Sequence, residues 1–566
     1  MTQTIRKEFY SFVDNFLDAY FVAHPEAATA SGIHTYDHHI SDFSPGGIAR
    51  DVSRLKRALS RLTRIEAGTG KSSVDGLPPQ LRLDFQLMRR TLEAALFDLE
   101  EMRSWERNPS VYNDLLNASL FLLMKRSFAP LDTRVRAIIE RERQIPAALL
   151  AARKNLRRVP RMLVQLALRQ FEGTLHFLRD TLSAAVGQTA DARLLAAFEE
   201  SNRQAMAAFS SFIHFLKRDL LPRSPERFGI GESRYRKKLW LEEMVDLPLD
   251  HLLTKAHESL KENHEMFGRV AASINRRRDP DEILELMTRD HPPGDQILGR
   301  TAAVLGQLQD FLVEHDLISL PPLSPALGQT SPCTVSESPE FLRELTFASL
   351  DVPGPFEKKS REYYYYVTLP DPRWTAEARE QHLRFFSQHL ILTTSIHEAY
   401  PGHLVHFLWV NRHPSKIRRL FGATSHVEGW AHYCEEMMIE QGFGGGDPRL
   451  HLAQLHEAQL RLCRFIVGIE MHAGGMSFRQ AKNFFRRNAH MQPVNAEREA
   501  KRGIVDPTYL VYTLGKMQLL RLREELQRKQ GAMFSLKRFH DACVQNGFPP
   551  IPLLRELLLG DRRAVI

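Results

Sequence analysis

Histidine beside glutamate can both hold a metal ion and move a proton. The 566-residue sequence contains four such dipeptides: His257-Glu258, His264-Glu265, His397-Glu398 and His456-Glu457. Only one has a second histidine no more than six positions after its first, in His397-Glu398-Ala399-Tyr400-Pro401-Gly402-His403. Many zinc proteases carry H-E-x-x-H, because positions four apart share a helix face and can grip one ion. Here the second histidine stands six positions on. Six residues of undistorted helix turn through about 600° and leave the two rings about 120° apart. Pro401-Gly402 offers a way round. Proline removes a helical hydrogen bond, and glycine tolerates the dihedrals that follow. A kink or bulge that absorbs two residues returns His403 to the face of His397. The plainer reading is a helix that stops at Pro-Gly, followed by an incidental histidine.

A second cluster supports the metal reading. Twenty-five residues beyond His403, the run Glu428-Gly429-Trp430-Ala431-His432-Tyr433-Cys434-Glu435-Glu436 opens a helical pattern. Catalytic zinc commonly takes three protein ligands and leaves a fourth position open, and two histidines with one glutamate is a known set. Glu428 is the candidate third ligand. Glu435 and His432 lie on its helix face, and either could orient a ligand by hydrogen bond. Alone, Glu428 reads as a carboxylate near a helix start.

The elements that must position these residues are mostly helical. Phe9, Phe12, Val13, Phe16, Leu17 and Tyr20 make one apolar stripe, and similar stripes run through 80–105, 111–125, 133–154, 161–187 and 192–221. Later helical patterns cover 376–412, 426–442, 448–473, 477–489 and 507–530. Strand signals are few. The clearest is Tyr363-Tyr364-Tyr365-Tyr366-Val367-Thr368-Leu369, ended by Pro370, in which alternate tyrosines must face solvent or a groove. The Pro- and Gly-rich stretch 221–233 marks a soft boundary, giving an N-terminal helical region 1–225 and a metal-carrying helical region 226–566. Residues 319–356, with Pro321, Pro322, Pro325, Pro332, Pro339, Pro353 and Pro355, read as a long loop of the kind that covers a site. The expected fold is mainly α, a large multi-helix metallopeptidase-like body with one small antiparallel β-sheet near the active-site cleft.

Composition excludes several classes. Hydrophobic residues at 43% and charged residues at 25% are the ordinary globular mix, which excludes global disorder and collagen-like structure. Cys333, Cys434, Cys463 and Cys543 stand far apart with no C-x-x-C pair, which argues against a zinc ribbon or a disulfide scaffold. The net charge of +8 is weak over this length, and the basic clusters 153–161, 234–238 and 276–278 lack interleaved aromatics, so no nucleic-acid partner is expected. No apolar run spans a membrane, and Asp14 interrupts the N-terminus before a signal-length core, so a cytoplasmic protein is expected.

The string HEAYPGH (397–403) followed by EGWAHY (428–433) resembles a bacterial family of domains of unknown function, number eight-eight-five, grouped with gluzincin-type metallopeptidases. The resemblance covers nearly the whole chain. HPEAATASGIHTYDHHISDFSP (24–45) is similar to the family's opening motif, YYVTLPDP (365–372) to the strand before its metal helix, and 506–524 and 534–556 to its C-terminal signature. The resemblance implies a zinc-dependent hydrolase with one Zn2+ per chain, His397, His403 and Glu428 as ligands and Glu398 as catalytic base. Leu404 and His406 depart from the usual PGHHLQ, His432 stands where leucine is usual, and Pro507-Thr508-Tyr509 where many members have Pro-Gly-Gln. Leu404 removes the adjacent histidine as a rival ligand and leaves His403, with His406 the rival should His403 prove not to bind.

The reaction this implies is hydrolysis of peptide bonds in short peptides. Zinc would acidify a water and polarise the carbonyl, and Glu398 would carry the proton from that water to the leaving amine. A developing oxyanion needs a further donor; Tyr512 is the first candidate and Tyr509 the second. His472 could line the cleft, and Arg502 or Arg521 could clamp a substrate carboxylate. Strand 363–369, with Tyr365, could pair with an extended peptide by strand addition. The alternatives are a zinc amidohydrolase acting on a modified peptide or small-molecule amide, and a non-catalytic helical binding protein with a structural metal. A monomer and a homodimer are equally compatible with the sequence.

Overall fold

A computed structural model of the chain describes residues 2–68, 76–322, 333–338 and 348–566. It is mainly α-helical with one small sheet. The chain divides into two compact units: Met1–Ile230 together with Pro353–Arg361, and Gly231–Val352 together with Glu362–Ile566. Among the described residues no helix is long and apolar enough to cross a membrane.

The first unit is all helical. Its long helices are Thr2–Ala23, Pro45–Ala67, Pro79–Phe97, Ser110–Lys125, Leu131–Asn155, Arg161–His176 and Ala192–Phe215. The apolar stripe of the first helix turns inward: Phe9, Phe12, Val13, Phe16 and Leu17 are buried, and Phe9 stacks on Phe85 at 3.9 Å. The opening motif 24–45 forms a polar clasp. His34 hydrogen-bonds Asp37 through Nδ1 and Glu357 through Nε2, both at 2.9 Å, and stacks on Phe128 at 3.5 Å. Asp37 also accepts from Thr29 at 2.6 Å, and the buried Arg141 donates to Thr29 at 2.7 Å. Glu357 caps its own turn, accepting from the backbone N–H groups of Lys358 and Lys359. The clasp draws 353–361 out of the expected 226–566 region and into the first unit. Of the Pro-rich stretch 319–356, Pro325, Pro332 and Pro339 lie outside the described residues.

The second unit holds the sheet and the two motifs. Strands β1 (Cys333–Glu337), β2 (Ala348–Asp351) and β3 (Tyr363–Val367) are ordered β1-β3-β2. The sheet is mixed rather than antiparallel: β3 runs parallel to β1 and antiparallel to β2. Short strands far apart in sequence can pair in either sense, because no tight hairpin dictates their direction. The central position of β3 also corrects the strand-addition expectation, since both its edges are already paired. Tyr363 and Tyr365 are buried in the core, while Tyr364 and Tyr366 stack on each other at 5.3 Å. The helices that carry the site are α1 (Gln388–Glu398), α2 (His403–Val410), α3 (Thr424–Glu440), α4 (Pro448–Ile469), α5 (Pro493–Val505) and α6 (Val511–Gln530). The pattern 376–412 is broken into three α-helices and a short 3₁₀ turn, the last break falling between α1 and α2.

The clasp has a pH signature. Burial lowers the His34 pKa, but the hydrogen bonds to Asp37 and Glu357 outweigh it and hold the pKa above its ordinary value. A raised folded-state pKa contributes stability fully below the unfolded value of about 6.5, and that contribution is lost as pH rises through the folded value. Thermal unfolding of wild type and His34→Gln should differ more at about pH 5.5 than at about pH 8.5. A gap independent of pH would show that His34 acts only by packing on Phe128.

Candidate metal centre

The first motif works because the helix stops. Helix α1 ends at Glu398, and Ala399 leaves helical geometry with φ −120° and ψ −84°. Pro401 has no N–H to give, so the chain turns back over the last carbonyls of α1. Tyr400 N donates to Ser395 O and Gly402 N to Ile396 O, each at 3.1 Å. A Cβ on Gly402 would stand 1.9 Å from His397 O, so only glycine fits this approach. The Trp430 indole of α3 donates to Pro401 O at 3.0 Å and pins the turn. Helix α2 then starts at His403 itself. The break cancels the rotation that six helical residues would impose, and the rings of His397 and His403 come to 4.8 Å between centroids at 85°.

Glu428 is delivered by a close helix crossing. Helices α3 and α6 meet at Gly429 and Gly515, where a Cβ on Gly429 would lie 2.5 Å from Gly515 Cα and one on Gly515 would lie 1.8 Å from Ser425 O. The Glu-Gly-Trp and Tyr-x-x-Gly pieces therefore meet backbone to backbone. The crossing leaves Glu428 and Tyr512 within electrostatic reach of each other.

The two imidazoles converge on one oxygen. His397 Nε2 and His403 Nε2 lie 3.5 and 3.4 Å from Glu428 Oε2, and the three candidate ligand atoms fall within 4.8 Å of one another. Among the described residues this is the one group of three metal-type side chains so placed. Two imidazole nitrogens and a carboxylate oxygen at this spacing fit a divalent ion and leave room for a further ligand.

Behind the trio lies a buried charge network. Glu435 Oε1 accepts from His397 Nδ1 at 2.7 Å and pairs with Arg461 at 3.0 Å, while Oε2 meets His432 Nδ1 at 3.2 Å. Arg461 also pairs with Glu457 at 3.0 Å. Occupying Nδ1 of His397 leaves Nε2 facing the trio. Burial lowers the His397 pKa, yet hydrogen bonds to Glu428 and Glu435 carry it up to about 9. Burial raises those of Glu428 and Glu435, yet the two ring partners hold Glu428 well below the usual range, and Arg461 and His432 do the same for Glu435. Burial and then the Lys516 charge push His432 down to about 3, which keeps it neutral.

The remaining candidates divide. Glu398 is half-buried one step beyond His397, and no hydrogen bond or ion pair holds its carboxylate among the described residues. Tyr365 is buried on β3, and burial and then the Glu398 charge push its pKa up. Tyr512 accepts from Arg502 Nη2 at 2.8 Å, and its pKa is raised by burial and by Glu428. Tyr509 is elsewhere: its ring is fully buried in a notch between Gly468 and Gly503. His472 is buried against the Gly503 carbonyl at 2.6 Å and is a core histidine. Arg521 pairs with Glu524 and Glu525 on its own helix. His406, the rival ligand, is turned away to the Gly547 carbonyl at 3.0 Å and packs on His426. Sequence reasoning missed Arg461, Trp430 as a pin, and the Gly515 crossing. Arg461 and Arg464 did leave a signal, two charges set in the apolar run Leu460–Ile469.

The geometry separates ligand from support. The purified chain should take up about one divalent ion, and His403→Ala should lose it while His406→Ala keeps it. Glu435→Gln should weaken uptake by about 10- to 100-fold. Elemental analysis and competition with a chelator read all three; full occupancy in His403→Ala would refute the convergence.

Solved structures extend the fold beyond this chain. A candidate lipoprotein of unknown function from Shewanella oneidensis superposes with a TM-score of 0.82 at 25% identity, covering 97% of this chain and 99% of that one. A second candidate lipoprotein, from Colwellia psychrerythraea, shares the fold with a TM-score of 0.79 at 15% identity, covering 97% and 98%. No curated protein matches. The family model described as bacterial protein of unknown function, DUF885, matches residues 25–558, and the chain belongs to that family.

Proposed function

We propose that the chain is a zinc-dependent hydrolase, a metallopeptidase of gluzincin type that cleaves peptide bonds in short peptides. The observation that carries this reading is the convergence of two imidazole Nε2 atoms on one glutamate oxygen, with an unpaired carboxylate, Glu398, one residue away. His397, His403 and Glu428 would hold the ion. Three protein ligands leave a position open, which favours a working metal over a structural one. When bound, zinc supplies Lewis-acid chemistry, polarising a carbonyl and acidifying a water.

The chain's own residues supply the rest. Glu398 follows His397 by one helical step, so its carboxylate points about 100° away from the ligand position and stays outside the ligand set. With no fixed partner among the described residues, it is available to take a proton from water and return it to the leaving amine. Glu435 holds His397 in the right tautomer. Tyr512 accepts from Arg502, so its own hydroxyl proton remains free to donate to the substrate's carbonyl oxygen as that oxygen gains charge.

Glu398→Gln keeps the shape and loses the base. Its turnover of short peptides should fall by about 10²- to 10⁴-fold with metal content unchanged. Glu428→Gln should lose metal and activity together. Full activity in the Glu398→Gln protein would refute the mechanism even with the metal in place.

A further inference from the structure

Three guanidinium groups surround the Tyr512 ring: Arg461, Arg464 and Arg502 lie 5.8, 5.2 and 5.5 Å from its centroid. Two of them are already paired. Arg461 meets Glu435 and Glu457, each at 3.0 Å. Arg464 makes a two-pronged pair with Glu499 at 2.7 and 2.8 Å. Arg502 differs. Its Nη2 donates to the Tyr512 hydroxyl, its side chain is exposed, and no carboxylate is in ion-pair contact with it among the described residues. Glu499, three residues back on α5, contributes only at a distance because Arg464 holds both its oxygens.

A guanidinium offers five N–H donors in a planar fork that matches a carboxylate. Arg502 uses one donor on Tyr512 and leaves the rest of the fork open. Its place decides what the fork can meet. Glu428 and Tyr512 flank the Gly429–Gly515 crossing of α3 and α6 on their own helices, within electrostatic reach of each other, and Arg502 stands one hydrogen bond beyond Tyr512. One residue of extended chain spans about 3.5 Å. A carboxylate on Arg502 is therefore within reach of a carbonyl at Tyr512 when the two are separated by a single residue. An α-carboxylate occurs only on the C-terminal side of a peptide bond, and a free amino group would be repelled by the Arg502 guanidinium, which has no acid partner among the described residues.

We propose that Arg502 is the receptor for a substrate's free α-carboxylate, and that the substrates are peptides or acyl-amino acids cleaved at their last amide bond, releasing the C-terminal amino acid. The proposal rests on the hydrolase reading above and names its substrate class. Water adds across the amide: its oxygen joins the carbonyl carbon, the C–N bond breaks, both its protons pass to the nitrogen, and the products leave as a carboxylate and the ammonium of the C-terminal amino acid.

The test uses the full metal-loaded chain with benzoyl-glycyl-phenylalanine and its C-terminal carboxamide. The free acid should be favoured in kcat/KM by about 10- to 100-fold, the size of a charge-assisted contact. Arg502→Gln should remove the preference mainly through KM, and Arg502→Lys should restore part of it. Tyr512→Phe should lower kcat for both compounds alike. Calorimetry on the Glu398→Gln chain, with and without Arg502→Gln, reads the same preference as binding. Equal hydrolysis and equal binding of acid and amide would overturn the carboxylate receptor and leave the hydrolase reading standing. Preferential binding of the acid without hydrolysis by wild type would support Arg502 and overturn the hydrolase reading. Neither binding nor hydrolysis of either compound would overturn both.

Discussion

An ionised carboxylate removed from water costs several kcal/mol unless it is paired and hydrogen-bonded. Glu435 is 1% exposed, and its two oxygens are met by His397 from α1, His432 from its own helix α3 and Arg461 from α4. These helices cannot slide past one another without stranding a charge. The same contact selects the ring nitrogen of His397 that faces Glu428. One buried carboxylate thus links the packing of the second unit to the geometry of its candidate metal centre.

Two close backbone approaches complete the arrangement. The turn at Gly402 lies against the final carbonyls of α1, and the crossing at Gly429 and Gly515 brings α3 against α6. Protein interiors are packed too densely to absorb a methyl group at such contacts without displacement. The first approach sets the angle between the two imidazoles. The second sets how far Glu428 and Tyr512 stand from each other. The glycines of both motifs are therefore geometric parts of the site although none offers a side chain.

Charge in the second unit is arranged in alternating layers. Glu428 and Glu435 face the histidines; Arg461 and Arg464 stand behind them, each with its own carboxylate. Buried charges compensated in this way are costly to break one at a time. Of the three arginines around Tyr512, the exposed Arg502 is the one without an acid partner among the described residues. The first unit uses a similar device for another purpose, with His34 and its two carboxylates fastening 353–361 onto the opening motif.

Local periodicity and residue chemistry made much of this legible in the amino-acid order alone. The apolar stripes mark the helices, Pro401-Gly402 marks the break, and the spacing of His397, His403 and Glu428 marks the trio that the fold brings together. The stripes and the break depend on neighbours within a few turns of chain, whereas Glu428, twenty-five residues beyond His403, joins the two histidines only through the packing of its helix. The rest depends on which distant backbones approach. The mixed pairing of β3, the loss of 353–361 to the first unit, and the placing of Tyr509 and His472 in the core join segments with no local rule to connect them. Arg461 stands in an apolar run whose oddity is visible, yet its partner Glu435 is on another helix. Periodicity determines which face of a helix is apolar. Which helix that face meets, and so which charge finds which, is decided only when the backbones pack closely enough to exclude water.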